Sequence, residues 1–333
     1  VSRARVGLGL RFELQDELAQ HLDDCAREGR PPGLDFVELA PENFMRRGGP
    51  VPATLSRIAE HLPLVAHGLS LAPGGLGPMD DGFVAALRGF LRERSITLFS
   101  EHLCASGEAS VGPAGAARRF AAHELLPLPH TRAEATRVAA RARELEARLE
   151  QPLALENVTT YFTLGAPELD EATFVCEVLE GADVGLLLDL NNALVNAKNS
   201  LCERPGAREG ASDAALARAR AFVDALPLER TRAIHLAGHE WSGDEELFLD
   251  THGAEVSAGS LALLAHVLPR VGDVPLVIER DHHVPKLDVL LDEVARVRAI
   301  ADAALAGLAP GAPPSAASRG TMARARPTRG PRP

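Results

Sequence analysis

The chain has 333 residues, 46% of them hydrophobic and 24% charged, which are ordinary globular values that exclude wholesale disorder and allow a large core. Its net charge is −11, and residues 308–333 hold five Arg and no acid, leaving −16 on the remainder. So acidic a body repels phosphate backbones, so no nucleic-acid partner is expected, whereas acid gathered at one place would suit metal cations.

In chain order, short apolar runs predict strands and longer 3.6-period stretches predict helices. A strand at 6–11 precedes a helix near 14–28, a strand at 35–40 a helix near 51–61, and a strand at 63–70 a helix near 80–94. The pattern repeats with strands at 96–103, 152–158 and 184–191 and helices near 132–150, 168–180 and 212–225. It ends with strands at 232–239 and 274–281 and helices near 257–270 and 286–305. Eight strand–helix units with continuously apolar strands predict an α/β protein, a parallel sheet closed into a (β/α)8 TIM barrel over residues 1–307. A doubly wound open sheet is the competitor, but Gly7-Leu8-Gly9 lacks the third glycine of a dinucleotide fingerprint. The long connections 71–79, 104–131, 192–211 and 240–256 follow strands, which assigns them to the face where such barrels place active sites. The stretch 72–78 reads equally as a lid or as an irregular loop, and 308–333, rich in Pro, Ala and Arg, reads as a disordered tail.

No run of 18 apolar residues exists and VSRARVGLGLRFE lacks the design of a signal peptide, so no membrane partner is expected and a cytoplasmic location is. Cys25, Cys104, Cys176 and Cys202 show no C-x-x-C spacing and read as free thiols.

A barrel strand needs no acid or histidine, because a buried ionised group costs several kcal/mol unless paired or bound to a metal. Yet nearly every predicted strand ends in one: Glu38 and Glu42, His67, Glu101 and His102, Glu156, Asp189, His235 and His239, and Glu279 with Asp281. Asp250 and His252 follow in the next connection. Taken singly, each is more ordinarily a cap, an ion-pair partner or a core imidazole. Taken together, His67, His102, His239 and His252 with Glu156, Asp189, Asp250 and Glu279 on one rim need a common reason, and mixed imidazole and carboxylate suits iron, manganese or zinc, in number enough for two or three ions. Glu156 is the candidate bridging carboxylate. His21, His61 and His266 fall on outer helices, and His282 and His283 read as a solvated pair.

The motifs HGLSLA (67–72), FSEHL (99–103), LLPLPHT (125–131), LENVTTY (155–161), LLLDLNN (186–192), IHLAGH (234–239), DTHG (250–253) and IERDHHVP (278–285) together resemble the multinuclear non-haem iron-dependent oxidative enzymes, which include methanobactin-biosynthesis and bufferin-maturation enzymes. The resemblance covers roughly residues 5–304. It implies a xylose-isomerase-like barrel holding two to three iron ions, mixed Fe(II)/Fe(III), with O2 as co-substrate. The implied substrate is a Cys-containing precursor peptide, made on the ribosome, whose cysteine is oxidatively modified, usually with a partner protein that captures the leader peptide. Carried over by motif, the implied metal ligands are His67, His102, Glu156, Asp189, Asn192, His239, Asp250, His252 and Glu279, with His235 as a further ligand or a supporting partner; Glu156, Asp189 and His239 are the expected catalytic residues. The sequence departs from the family where relatives read Asn-His-Gly and Asn199-Ser200-Leu201 stands here, followed by a polar insert to residue 211. Two other readings stay open: a divalent-metal sugar isomerase or phosphodiesterase on the same barrel, and a metal- or leader-binding protein without turnover.

Overall fold

The computed structural model describes residues 3–111, 117–204 and 212–307. Eight short parallel strands, β1 (Val6–Gly9), β2 (Val37–Leu39), β3 (Leu64–Gly68), β4 (Phe99–His102), β7 (Leu153–Glu156), β8 (Gly185–Asp189), β9 (Thr231–Leu236) and β12 (Leu276–Ile278), close into a barrel. Each pairs with the next in chain order, and Leu8 of β1 closes the ring against Ile278 of β12. The helices α1 (Gln15–Glu28), α2 (Pro50–Ala59), α3 (Asp81–Glu93), α4 (Arg132–Leu149), α5 (Glu171–Ala182), α6 (Leu190–Ser200), α7 (Asp213–Ala225), α8 (Ala258–Val271) and α9 (Leu287–Leu305) surround it. This is the TIM barrel expected from the sequence.

Helix starts follow side-chain chemistry. Asp80, Thr131, Asp170, Ser212 and Ser257 each accept a hydrogen bond from the backbone N–H three residues on, satisfying a donor that the helix itself leaves unpaired. The main core lies between strands and helices, with Leu18, Leu55, Leu87, Leu145, Val178, Leu263 and Val294 among its buried members.

Inside the barrel, the two-residue period of a strand sorts side chains into layers. Phe36, Val65 and Val277 pack together with Leu98, as do Ala154, Leu187 and Ala233, forming the apolar lower layer. Two residues further along the same strands stand Glu38, His67, Glu279, Ser100, Glu156, Asp189 and His235, so the polar layer sits directly above the apolar one. Gly7 completes the lower layer by being small, since a Cβ there would stand 2.6 Å from the Phe36 ring.

Three connections differ from the sequence expectation. The predicted connection 192–211 is helical up to Ser200, as α6, with Asp189 as its cap. The connection 104–131 contains an antiparallel pair, β5 (Ala105–Val111) with β6 (Ala117–Leu126), and 240–256 contains β10 (Glu240–Ser242) with β11 (Leu247–Leu249). The 72–78 loop is fastened to α4: Arg137 donates to the carbonyls of Gly74 and Gly75, and Arg141 to that of Gly77. The expected tail, 308–333, lies outside the described residues. Among the described residues no helix is long and apolar enough to cross a membrane.

Candidate metal centre

Strand register brings the polar layer into contact. His102 on β4 stands beside Glu156 on β7, and Asp189 on β8 beside His235 on β9. The Nε2 atoms of His67 and His102 are 3.1 Å apart, and Glu156 Oε2 lies 3.2 Å from the first and 3.4 Å from the second. Donors held about 2.1 Å from one metal ion stand roughly 3.0–3.5 Å from each other, so this triangle has the span of one face of a coordination shell. The other oxygen, Glu156 Oε1, lies 3.2 Å from His235 Nδ1, which is also 3.0 Å from Glu279 Oε2. Glu156, Asp189, His235 and Glu279 form a second, fully buried group of converging donors. Glu156 therefore faces one group with each oxygen, the geometry of a bridge. Further out, His252 Nε2 is 2.8 Å from Asp250 Oδ1, and its Nδ1 is 3.3 Å from Asp281 Oδ2 and 3.7 Å from Glu279 Oε2. His252 holds a left-handed backbone at φ +50°, a conformation that costs a non-glycine residue energy and concentrates at functional sites.

The surrounding residues fix which nitrogen each ring presents. His102 Nδ1 lies 3.1 Å from the Gly68 carbonyl and 3.3 Å from Glu101 Oε1, both acceptors, so it carries the proton and Nε2 faces the centre. Glu38 holds His235 Nε2 at 3.0 Å and turns Nδ1 inward. Ser100 Oγ lies 2.9 Å from His67 Nδ1.

Glu156 Oε2, Asp189 Oδ2, His235 Nδ1 and both ring nitrogens of His252 make no well-aligned hydrogen bond, although all but Asp189 Oδ2 stand within 3.4 Å of an opposing nitrogen or oxygen. Buried polar atoms that crowd together without aligned bonds are rare, and five in one place fit donors aimed at a common centre. The electrostatics agree. Burial lowers the His102 pKa, but Glu156, then Glu101, raise it to about 9. His235 is raised against burial by Glu279 and Glu38, and His252 by Asp250 and Glu279. Glu156 is held low by His67 and His102 although burial opposes this. Asp189 is pushed up by burial and by the Glu156 and Asp250 charges. Protons crowded onto these imidazoles and onto Asp189 occupy the place a cation would take. The donor set fits a transition metal: neutral nitrogen and ionised oxygen, without thiolate.

Two expected ligands are otherwise engaged. The Asn192 amide accepts from Thr159 Oγ1 at 2.7 Å and donates to the Asn157 carbonyl at 3.0 Å. His239 has Nδ1 at 2.7 Å from Asn191 Oδ1 and Nε2 at 2.9 Å from Lys198 Nζ, and burial and Lys198 lower its pKa to about 3. Cys104 is buried beside the Gly74 turn. His130 of the LLPLPHT motif stacks on Phe174 at 4.7 Å, and His21 on α1, His61 just past α2 and His266 on α8 bond to the Pro32 carbonyl, Asp23 and Asp224, outside the barrel. His282 and His283 are exposed. A cleft of about 610 Å³ at the opposite, N-terminal end of the barrel is lined by Phe36, Pro63, Leu98 and Pro275 and lies away from this chemistry. Glu38 was legible as a strand-end acid in phase with Phe36; Ser100, Thr159 and Lys198 carried no signal.

A family model described as "RiPP precursor modification enzyme MbnB/TglH/ChrH" matches residues 5–302. This chain belongs to that family, whose enzymes modify precursors of ribosomally synthesised and post-translationally modified peptides. It is 37% identical to a UPF0276 protein of Shewanella oneidensis over 298 residues, covering 89% of this chain and 94% of that one. Identity is 35% to a UPF0276 protein of Anaeromyxobacter over 308 residues, covering 92% and 96%. Among solved structures, the 3-keto-D-glucoside 4-epimerase YcjR of E. coli matches with a TM-score of 0.52 at 11% identity over 89% of this chain and all of that one. A xylose isomerase domain protein of Alicyclobacillus acidocaldarius matches with a TM-score of 0.51 at 16% identity, over 90% and 98%. At such identities these likenesses show the xylose-isomerase-like barrel alone.

Proposed function

We propose that this chain is an O2-dependent multinuclear iron enzyme that oxidises cysteine in a ribosomally made precursor peptide. The observation that carries the reading is Glu156, buried, with one oxygen toward His67 and His102 and the other toward His235. Two ions sharing one carboxylate would be held by His67, His102 and Glu156 on one side and by Glu156, Asp189, His235 and Glu279 on the other, with Asp250 and His252 available to a third. Bound iron would supply what the side chains lack, a centre acidic enough to deprotonate a cysteine thiol and able to exchange electrons with O2.

The chain's own residues do the rest. Glu38, Ser100 and Glu101 orient the three imidazoles, and the apolar layer of Phe36, Val65, Leu187 and Val277 closes the floor against water. Asp189 Oδ1 is tied to the Asn192 N–H at 2.6 Å, which leaves Oδ2 to hold a proton or give it up. Of the nine exposed large apolar residues among those described, Phe12, Leu69, Leu76, Leu125, Tyr161, Phe162, Leu164 and Leu201 lie in segments that follow barrel strands, and only Val289 does not. Exposed apolar side chains on the strand-following segments suit a peptide better than a sugar. A partner protein that captures the leader peptide completes the proposal. The four free cysteines, two of them buried, suit a reducing compartment such as the cytoplasm.

Co-expression with a Cys-bearing precursor from the neighbouring reading frames, with and without the adjacent partner gene, tests the reading. Mass spectrometry should show an O2-dependent mass change that disappears when the cysteine becomes Ser. A modification that persists without O2 or without the cysteine would overturn it.

A further inference from the structure

Lys198 lies on α6 with only 5% of its surface exposed. Its ammonium is placed 2.9 Å from His239 Nε2 and 4.1 Å from the centroid of the Phe248 ring. The arrangement is clamped, because the Asn199 side chain accepts from the Phe248 N–H and donates to the Phe248 carbonyl, both at 2.9 Å, and so holds the β10–β11 hairpin over the lysine.

The chemistry of these groups fixes the direction of every bond that follows. Asp250 presents an oxygen to the Asn191 amide nitrogen, so the Asn191 oxygen faces His239 Nδ1 and the ring proton stands there, which leaves Nε2 to accept from Lys198, a donor whether charged or neutral. Nδ1–H then donates to Asn191 Oδ1 at 2.7 Å, and the Asn191 amide nitrogen donates to Asp250 Oδ1 at 2.6 Å. The same Asp250 oxygen faces His252 Nε2 at 2.8 Å. A ring nitrogen whose lone pair receives a hydrogen bond has none left for a metal.

We propose that Lys198 is a positioning residue: it locks His239 as the Nδ1–H tautomer, withholds Nε2 from the metal centre and, through Asn191, sets the Asp250 carboxylate against His252. The tautomer stands on geometry alone; its consequence for turnover rests on the metal-centre reading above. In this proposal His239 is not a ligand but stands two hydrogen bonds out from Asp250, and the residue responsible is a lysine. A lysine that merely filled the space beneath Phe248 would leave the tautomer indifferent to its loss.

The test uses the full chain labelled with 15N-histidine, metal-free and loaded with Zn(II) as a diamagnetic probe, with the His239 signals assigned by their absence in His239→Gln. Long-range 1H–15N correlation should show a single Nδ1–H tautomer whose Nε2 does not move to a metal-bound position on zinc loading. The zinc content of His239→Gln should equal that of wild type. Lys198→Met should give mixed tautomers, and Lys198→Arg, which keeps a charged donor, should restore the single one. On a Cys-bearing precursor, Lys198→Met should lower kcat by about 10-fold with KM and metal content within twofold, the lower end of the range for loss of support around a metal ligand, because Lys198 reaches Asp250 only through His239 and Asn191. A zinc-dependent shift of Nε2, or one ion lost per chain in His239→Gln, would overturn the proposal. A single tautomer with unchanged kcat in Lys198→Met would do so as well. A protein that takes up no metal in any variant would overturn the proposed function, while the tautomer would still be read on the metal-free chain.

Discussion

Glu156→Gln removes the one charge shared by both groups of donors while keeping shape. In the metal-free protein His102 stands at about 9 rather than 6.5, a difference worth about 3 kcal/mol at about 1.4 kcal/mol per unit. Glu156 leads the groups that raise it and Glu101 follows, so roughly 2 kcal/mol is the share expected to go with the substitution. Because the folded value lies above the unfolded one, this stability is fully present below pH 6.5 and lost as pH rises through about 9. Glu156 itself is held low, so its contribution is present above the ordinary carboxylate range and lost in acid. The window where both act is about pH 5–6.5. Thermal melts of metal-free protein at pH 6 should show the variant lower by about 3 °C, shrinking by pH 9.5. Metal analysis of loaded protein should show both ions lost, whereas His252→Ala should lose no more than one. A melting point within about 1 °C of wild type at pH 6, with full metal content, would refute the bridging role.

Metal affinity should rise between pH 6.5 and 9, because a cation must displace the proton His102 holds up to about 9, and a flat profile in a Zn(II) competition assay would contradict this. Glu171, near the Asn196 amide, is raised to about 7, chiefly by burial, so ionising it destabilises the fold as pH climbs from 4.5 past 7. Glu171→Gln should raise the melting point by about 2 °C at pH 8, about 1.5 kcal/mol once its partial exposure is discounted, and leave it unchanged at pH 4. Deleting residues 308–333 should change neither metal content nor melting point, since that stretch offers little apolar surface to dock; a fall of several degrees would show that it packs on the barrel.

The barrel was legible because each strand is a short apolar run ending in a polar residue, and the same two-residue period that builds the apolar floor from Phe36, Val65, Leu187 and Val277 lifts Glu38, His67, Asp189 and Glu279 above it. α6 was missed because Asn191, Asn192, Asn196 and Asn199 are poor helix formers. Its signal was present in Asp189 as a cap and in Leu190, Ala193, Leu194 and Ala197 at helical spacing, all buried. The hairpins went unseen because Gly, Ser and Ala dominate 105–117, and because β10 and β11 are three residues each. The histidines and acids of the centre could be named from type and place. What sequence could not supply was which ring nitrogen each presents, since that depends on Glu38, Ser100, Glu101 and Lys198, contributed by other elements across the barrel.

The central claim, a multinuclear iron centre bridged by Glu156, is tested most directly by Mössbauer spectroscopy with elemental analysis on 57Fe-enriched protein purified anaerobically from iron-replete cells. Two to three irons per chain, at least two of them magnetically coupled, is the predicted result. Zinc alone, or less than one metal ion per chain, would contradict it.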